Sequence, residues 1–150
     1  MEFQRTDSDN ENFIALVRLL DADLAEKDGA DHSFYAQFNK IDKIKHVIVG
    51  FYGDYAVACG AFKPFDEDSV EVKRMYTREE FRGKGIASML LKNLETWAAE
   101  LGYSKAVLET GKRQPDAIRL YGNNGYQLIP NYGQYVGIQN SVCFEKKLSF

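Results

Sequence analysis

Basic charge is in short supply in this chain of 150 residues: 19 lysines and arginines stand against 22 aspartates and glutamates, a formal charge of −3. That balance sets up no field for gathering nucleic acid, and no nucleic-acid partner is expected. Histidine occurs only at 32 and 46, far from any ligand spacing, so no metal is expected. The two cysteines, Cys59 and Cys143, lie in apolar, strand-like stretches and read as buried free thiols rather than a disulfide or a metal pair. No apolar run approaches the roughly 18 residues of a membrane span, so no membrane partner is expected. The opening Met1-Glu2-Phe3-Gln4-Arg5 is charged and lacks a signal-peptide core, which makes the expected location cytoplasmic. The 3 prolines are scattered, with no linker, repeat or low-complexity tract, so residues 1–150 are expected to form one domain. What remains is 45% hydrophobic and 27% charged, the composition of an ordinary globular protein.

The apolar periodicity divides the chain into elements. A short strand near Phe3 comes first. Ser8 and Glu11 have the spacing of a capping box, and Phe13, Leu16, Val17, Leu20 and Leu24 then recur at helical period up to Asp28-Gly29. Phe34, Tyr35 and Phe38 fit a short helix or an ordered loop. His46–Tyr52 and Tyr55–Pro64 are rich in β-branched and aromatic residues and flank Gly53-Asp54, a hairpin turn. Ser69–Tyr76 alternates Val70 and Val72 with Glu71 and Lys73, as a strand does. Ile86, Met89, Leu90, Leu94, Trp97 and Leu101 line one face of a long helix that Gly102 ends. Ala106-Val107-Leu108 is a strand. Pro115 opens a helix that runs to about Asn123 and ends at Gly125. Strands near Gln127–Ile129 and Ser141–Lys147 complete the order. Central hairpins pair antiparallel, whereas strands joined through helices lie parallel. The expected fold is α/β: a mixed, mostly antiparallel sheet of six to seven strands with helices on both faces.

The segment richest in chemistry runs from Met75 to Ser88, where a strand ends, a loop of glycines and bases follows, and a long helix begins. A helix N-terminus presents backbone N–H groups without partners and carries positive potential, so it attracts phosphate. Gly83 and Gly85 permit close approach of a ligand, Ala87 keeps the first turn small, and Arg82 and Lys84 add charge beside a diphosphate. A P-loop is excluded because Lys84 precedes Gly85 instead of preceding Ser or Thr. A dinucleotide fingerprint is excluded because Ser88 stands where the third glycine belongs, and because the loop follows antiparallel hairpins.

Arg82-x-x-Gly85-x-Ala87 resembles the acetyl-CoA-binding motif of the GNAT family of N-acetyltransferases, Arg/Gln-x-x-Gly-x-Gly/Ala. Gln114-Pro115-Asp116-Ala117-Ile118-Arg119-Leu120-Tyr121-Gly122-Asn123-Asn124-Gly125-Tyr126 is similar to that family's second signature, Asn-x-x-Ala-x-x-Leu-Tyr-x-x-x-Gly-Phe. Gln114 replaces the Asn and Tyr126 the final Phe. The resemblance covers roughly residues 47–129 and implies a sheet whose central strands splay apart. It also implies an acetyl-CoA-dependent enzyme that acetylates a primary amine of a small molecule or peptide, without a metal. A non-catalytic domain that binds or senses acyl-CoA is the alternative.

Residue by residue, the resemblance assigns Arg82, Gly83, Lys84, Gly85, Ile86, Ala87 and Ser88 to the diphosphate. Backbone groups near Met75, Tyr76 and Thr77 go to the pantetheine arm and the thioester carbonyl, and Gln114 and Ala117 line the cofactor site. Tyr121 falls to the thioester sulfur, where it would protonate the leaving thiolate. An alkylammonium of pKa about 10.4 must lose a proton before it can attack. Glu71, eleven positions before Arg82, is one candidate base; Glu109 or a water chain are the others. The acceptor pocket would come from Asp31–Phe38 and Pro130–Gln139. Their aromatic residues Phe34, Tyr35, Tyr132 and Tyr135 fit a pocket lining, core packing or a homodimer contact equally well.

Overall fold

The structure, a computed structural model, describes residues 1–29 and 43–148. In chain order the elements are β1 (Glu2–Thr6), α1 (Glu11–Asp28), β2 (His46–Tyr52), β3 (Tyr55–Pro64), β4 (Ser69–Thr77), α2 (Ile86–Glu100), β5 (Lys105–Gly111), α3 (Pro115–Asn123), β6 (Gln127–Ile129) and β7 (Ser141–Lys147). One seven-stranded mixed sheet runs β1-β2-β3-β4-β5-β7-β6. Among the described residues its sole parallel pair is β4–β5. The expected residues 34, 35 and 38 lie outside the described residues.

Strand alternation sorts the core onto two faces. Val47, Val49, Cys59 and Ala61 pack with Phe13, Leu16 and Val17 of α1. Ile48, Val57, Phe62, Val70 and Val72 pack with Leu90, Leu91 and Leu94 of α2. Helices therefore cover both faces. Both cysteines are free and buried.

The N-terminus of α1 departs from the expected capping box. Asn10 is the N-cap, its side chain accepting from the Phe13 N–H at 3.1 Å. Ser8 serves a different pairing: its Oγ accepts from the Ile44 N–H at 2.8 Å, and its own N–H donates to the Ile44 carbonyl at 2.9 Å. The two bonds tie the entry of α1 to the entry of β2. A hydroxyl drawn into that long-range pair leaves the cap to the next residue able to reach back.

The buried stripe of α2 also differs in detail. Ile86, Leu90, Leu91, Leu94 and Ala98 are buried, together with the carboxylate residue Glu95. Met89 and Leu101 are exposed. The helix packs closely because β3 has Gly60 beneath it. A Cβ there would stand 2.5 Å from Met75 Sδ and 2.6 Å from Leu90 Cδ2. Gly60→Ala is expected to destabilise the protein by about 1–3 kcal/mol, the usual cost of overpacking a core. Thermal unfolding checks this, and an unchanged midpoint would refute the close-packing argument.

Two irregularities shape the centre of the sheet. Cys59 pairs Tyr76 and Ala61 pairs Lys73, so two steps along β3 face three along β4. The extra residue is Arg74, at a left-handed φ of 61° unusual for a side chain of this size. Its guanidinium lies 3.3 Å from Asp21 of α1, and the Cys59 thiol donates to its carbonyl at 3.3 Å. The bulge switches the alternation, so Met75 packs on the α2 side with Val70 and Val72. The second irregularity is the splay. Pairing of β4 with β5 covers only Ser69–Glu71 against Lys105–Val107, although the strands continue to Thr77 and Gly111. A wedge opens between their C-terminal halves.

Candidate active site

The wedge holds two adjoining cavities. The larger, of about 490 Å³, is floored by Met75, Tyr76 and Thr77 at the end of β4. Phe81, Arg82, Gly83, Gly85, Ile86, Ala87 and Ser88 form one wall and Gln114, Asp116, Ala117, Leu120 and Tyr121 the other, with Leu20, Asp23 and Lys27 of α1 across the mouth. The smaller, of about 120 Å³, lies deeper in the wedge between Glu71–Met75 of β4 and Glu109–Gly111 of β5. Leu20, Met75, Gln114, Ala117 and Tyr121 line both, so the two spaces meet at these residues.

The loop ahead of α2 has the local geometry of an anion cradle. Gly83 and Gly85 have φ of 79° and 77°, values that bulkier residues rarely adopt. Gly85 is the N-cap of α2 and offers no side-chain acceptor, which leaves the first-turn N–H groups to an outside partner. A Cβ at either glycine would meet nothing within 4 Å, so the backbone stands open. Arg82 braces the loop: its Nε donates to the Thr77 carbonyl at 2.9 Å, and its guanidinium reaches Asp23 of α1 at 3.8 Å. The Ser88 hydroxyl accepts from the Asn124 side chain at 3.1 Å, joining α2 to the end of α3. Lys84 is exposed with its ammonium 5.5 Å from the Phe81 ring centre, and is not among the residues that line the cavity.

Tyr121 is buried where the cavities meet, its ring edge-on to Tyr126 at 5.8 Å. Burial, and then the negative charge of Glu109, push its phenol above the ordinary tyrosine pKa, so it stays an O–H donor at neutral pH. Glu71 is buried too, on the opposite side of β4 from Val70 and Val72. One of its oxygens accepts from the Tyr132 O–H at 2.7 Å and the other lies 3.9 Å from Lys73. Tyr132 is held protonated by burial, by the Glu71 charge and by that hydrogen bond. Tyr135, from the same loop, lines the smaller cavity beside Glu109. Glu71, Glu109, Tyr121 and Tyr135 thus line the narrow part of the wedge, and the Tyr132 phenol is bonded to Glu71 there. The reach of Tyr132 across 61 positions to Glu71 has no local signature in the sequence, where the β6–β7 loop shows only its aromatic content.

A family model, the acetyltransferase (GNAT) family, matches residues 12–126. The chain belongs to this family. Among relatives of the GNAT chain, the uncharacterized N-acetyltransferase YsnE of Bacillus subtilis is 35% identical over 98 residues, 64% of this chain and 65% of YsnE. The chain thus spans less than two thirds of that relative's length. Among solved structures, a Klebsiella pneumoniae protein assigned to the acyl-CoA N-acyltransferases superposes with a TM-score of 0.82 at 28% identity. That match covers 99% of this chain and 97% of the other. A GNAT acetyltransferase of Elizabethkingia anophelis, solved with acetyl-CoA bound, shares the fold with a TM-score of 0.69 at 17% identity, covering 98% and 97%. In this GNAT chain no helix among the described residues is long and apolar enough to cross a membrane.

Proposed function

We propose that this chain transfers the acetyl group of acetyl-CoA to a primary amine of a small molecule or peptide, by direct attack while both substrates are bound. The observation that carries this reading is the meeting of the two cavities at Tyr121, one walled by the glycine loop and the start of α2, the other by Glu71 and Glu109. Membership of the GNAT family and the acetyl-CoA held by the Elizabethkingia protein in the same fold support it. The residues present fit the ligand. The open glycine backbone and the uncapped N-terminus of α2 suit a diphosphate, and the exposed edge of β4 beyond Glu71 suits an extended amide-bearing arm.

Acetyl-CoA supplies the activated acyl group. Gly83, Gly85 and the first turn of α2 bind the diphosphate, with Ile86, Ala87 and Ser88 forming that turn, Arg82 adding positive charge at the cavity wall and Lys84 adding it only from outside the lining. A backbone N–H of the Met75–Thr77 segment stabilises charge that develops on the thioester oxygen. Gln114 and Ala117 pack along the arm. Glu71 removes the ammonium proton, and Glu109 is the second carboxylate facing the acceptor. Tyr121 donates its O–H to the departing sulfur. A thiol of pKa about 8.5 leaves readily, so this hydrogen bond assists departure without being indispensable.

Binding to the native state alone raises the unfolding midpoint by mass action, about 2.7 kcal/mol at a hundred times Kd. Thermal unfolding with acetyl-CoA, coenzyme A and NADH is therefore expected to show stabilisation by both coenzyme A forms and none by NADH. Thiol release against a panel of primary amines then identifies the acceptor. A midpoint unmoved at saturating acetyl-CoA would overturn the reading, and stabilisation without turnover of any amine would favour a sensing domain.

A further inference from the structure

Behind Tyr121, away from the wedge, lies a polar cluster with no part in the chemistry described above. Glu95 on α2 is 3% exposed. Its Oε2 accepts from the Tyr126 O–H at 3.0 Å and its Oε1 from the Lys146 ammonium on β7 at 2.8 Å. Tyr126, 4% exposed, is where the family's second signature has Phe; the added hydroxyl is the group that meets Glu95. Seven residues before Glu95 on the same face of α2, Ser88 receives the Asn124 side chain at 3.1 Å. Two rungs, two helical turns apart, therefore fasten the chain just after α3 to α2.

A buried carboxylate with one partly exposed lysine is poor value for stability, because desolvation offsets most of the attraction and an apolar filling would serve as well. What such a cluster supplies is one fixed arrangement. Here the fixed part is Tyr126, and Tyr126 touches Tyr121 twice. Its N–H donates to the Tyr121 carbonyl at 3.0 Å, and its ring stands edge-on to the Tyr121 ring at 5.8 Å and 63°. We infer that the Tyr126 hydroxyl, held by Glu95, is a positioning group that fixes where the Tyr121 O–H points in the wedge. The inference rests on the proposed placement of Tyr121 at the thioester sulfur.

The test needs no acceptor. Coenzyme A and desulfo-coenzyme A differ at the sulfur, so the ratio of their dissociation constants reports the contact made there. Near pH 10 the coenzyme A thiol is largely thiolate, whereas the raised pKa of Tyr121 keeps its O–H. A hydrogen bond to a charged group makes the expected ratio in the parent protein about tenfold. Tyr121→Phe is expected to bring it close to one, and Tyr126→Phe to lower it severalfold. In the double variant Tyr126→Phe is expected to have no further effect, because its influence passes through the lost hydroxyl. Affinity for desulfo-coenzyme A is expected to stay level throughout, as damage to the cavity would not allow. Glu95→Gln, which keeps an oxygen for Tyr126 to donate to, is expected to retain most of the ratio. A Tyr126→Phe ratio equal to the parent's, or an equal loss in the presence and absence of the Tyr121 hydroxyl, would overturn the inference alone. A parent ratio of one would remove Tyr121 from the sulfur and the inference with it. Failure of both analogues to bind would refute the proposed function itself.

Discussion

Gly85→Asp is expected to reduce coenzyme A affinity by more than a hundredfold while leaving the unfolding midpoint within a few degrees of the parent. The two halves of this result have one cause. Gly85 is the N-cap of α2 at φ 77°, with open space where a side chain would begin. An aspartate at this φ carries strain of roughly 1–2 kcal/mol. Yet Asp is also among the best N-cap residues, and its carboxylate at the positive end of α2 returns about 1 kcal/mol. The fold therefore loses little. The ligand loses its place, because a fixed negative charge occupies the N–H groups proposed for the diphosphate and repels its charge. Calorimetric titration with coenzyme A and a thermal melt of the same sample check both halves. Binding at parental strength would show that the diphosphate does not use this loop, and a large fall in midpoint would show the loop to be a structural joint instead.

That loop could be read from the sequence because its signal is local. Two glycines, a base between them and the onset of helical periodicity all fall within a few positions, and helix-terminus electrostatics needs nothing further. The hairpin at Gly53-Asp54 and the helix opened by Pro115 were legible for the same reason, and their strands and helix lie where the periodicity places them. Ser8 departs from the expected capping box because its partner, Ile44, is 36 positions away and outcompetes the local cap. On the stripe of α2, Met89 and Leu101 are exposed because hydrophobicity alone does not decide burial, and the burial of Glu95 has no sequence signal because a lone carboxylate on a helix reads as solvated. Its burial depends on Tyr126 and Lys146, which tertiary structure alone brings to it. The bulge at Arg74 leaves no mark in the alternation of Ser69–Tyr76, although it decides that Met75 and Glu71 face opposite sides of the sheet. Distances along the chain, more than chemistry, set what the sequence alone conveyed.

Glu71 shows both sides of this and carries the second large effect. A charged residue in an alternating strand usually faces solvent, yet Glu71 is 6% exposed with its oxygens directed at Tyr132 and Lys73. Glu71→Gln keeps the volume and an oxygen for the Tyr132 O–H to donate to, so the fold is expected to hold. What it removes is the proposed base. At pH 7 only about one alkylamine in 2,500 is unprotonated, given a pKa near 10.4. Turnover is therefore expected to fall by about a hundredfold or more at neutral pH, within the range for loss of a general base. The sign of the recovery is diagnostic. As pH rises towards 10 the acceptor loses its proton to solvent, so the variant is expected to gain rate steadily while the parent levels off, and the two curves converge. Thiol release from acetyl-CoA, measured from pH 6 to 10 with the best acceptor of the amine panel, traces both curves. Parallel profiles with a constant ratio would make Glu71 a binding group for the ammonium rather than its base. Identical profiles would transfer the role to Glu109, across the wedge, or to a water chain.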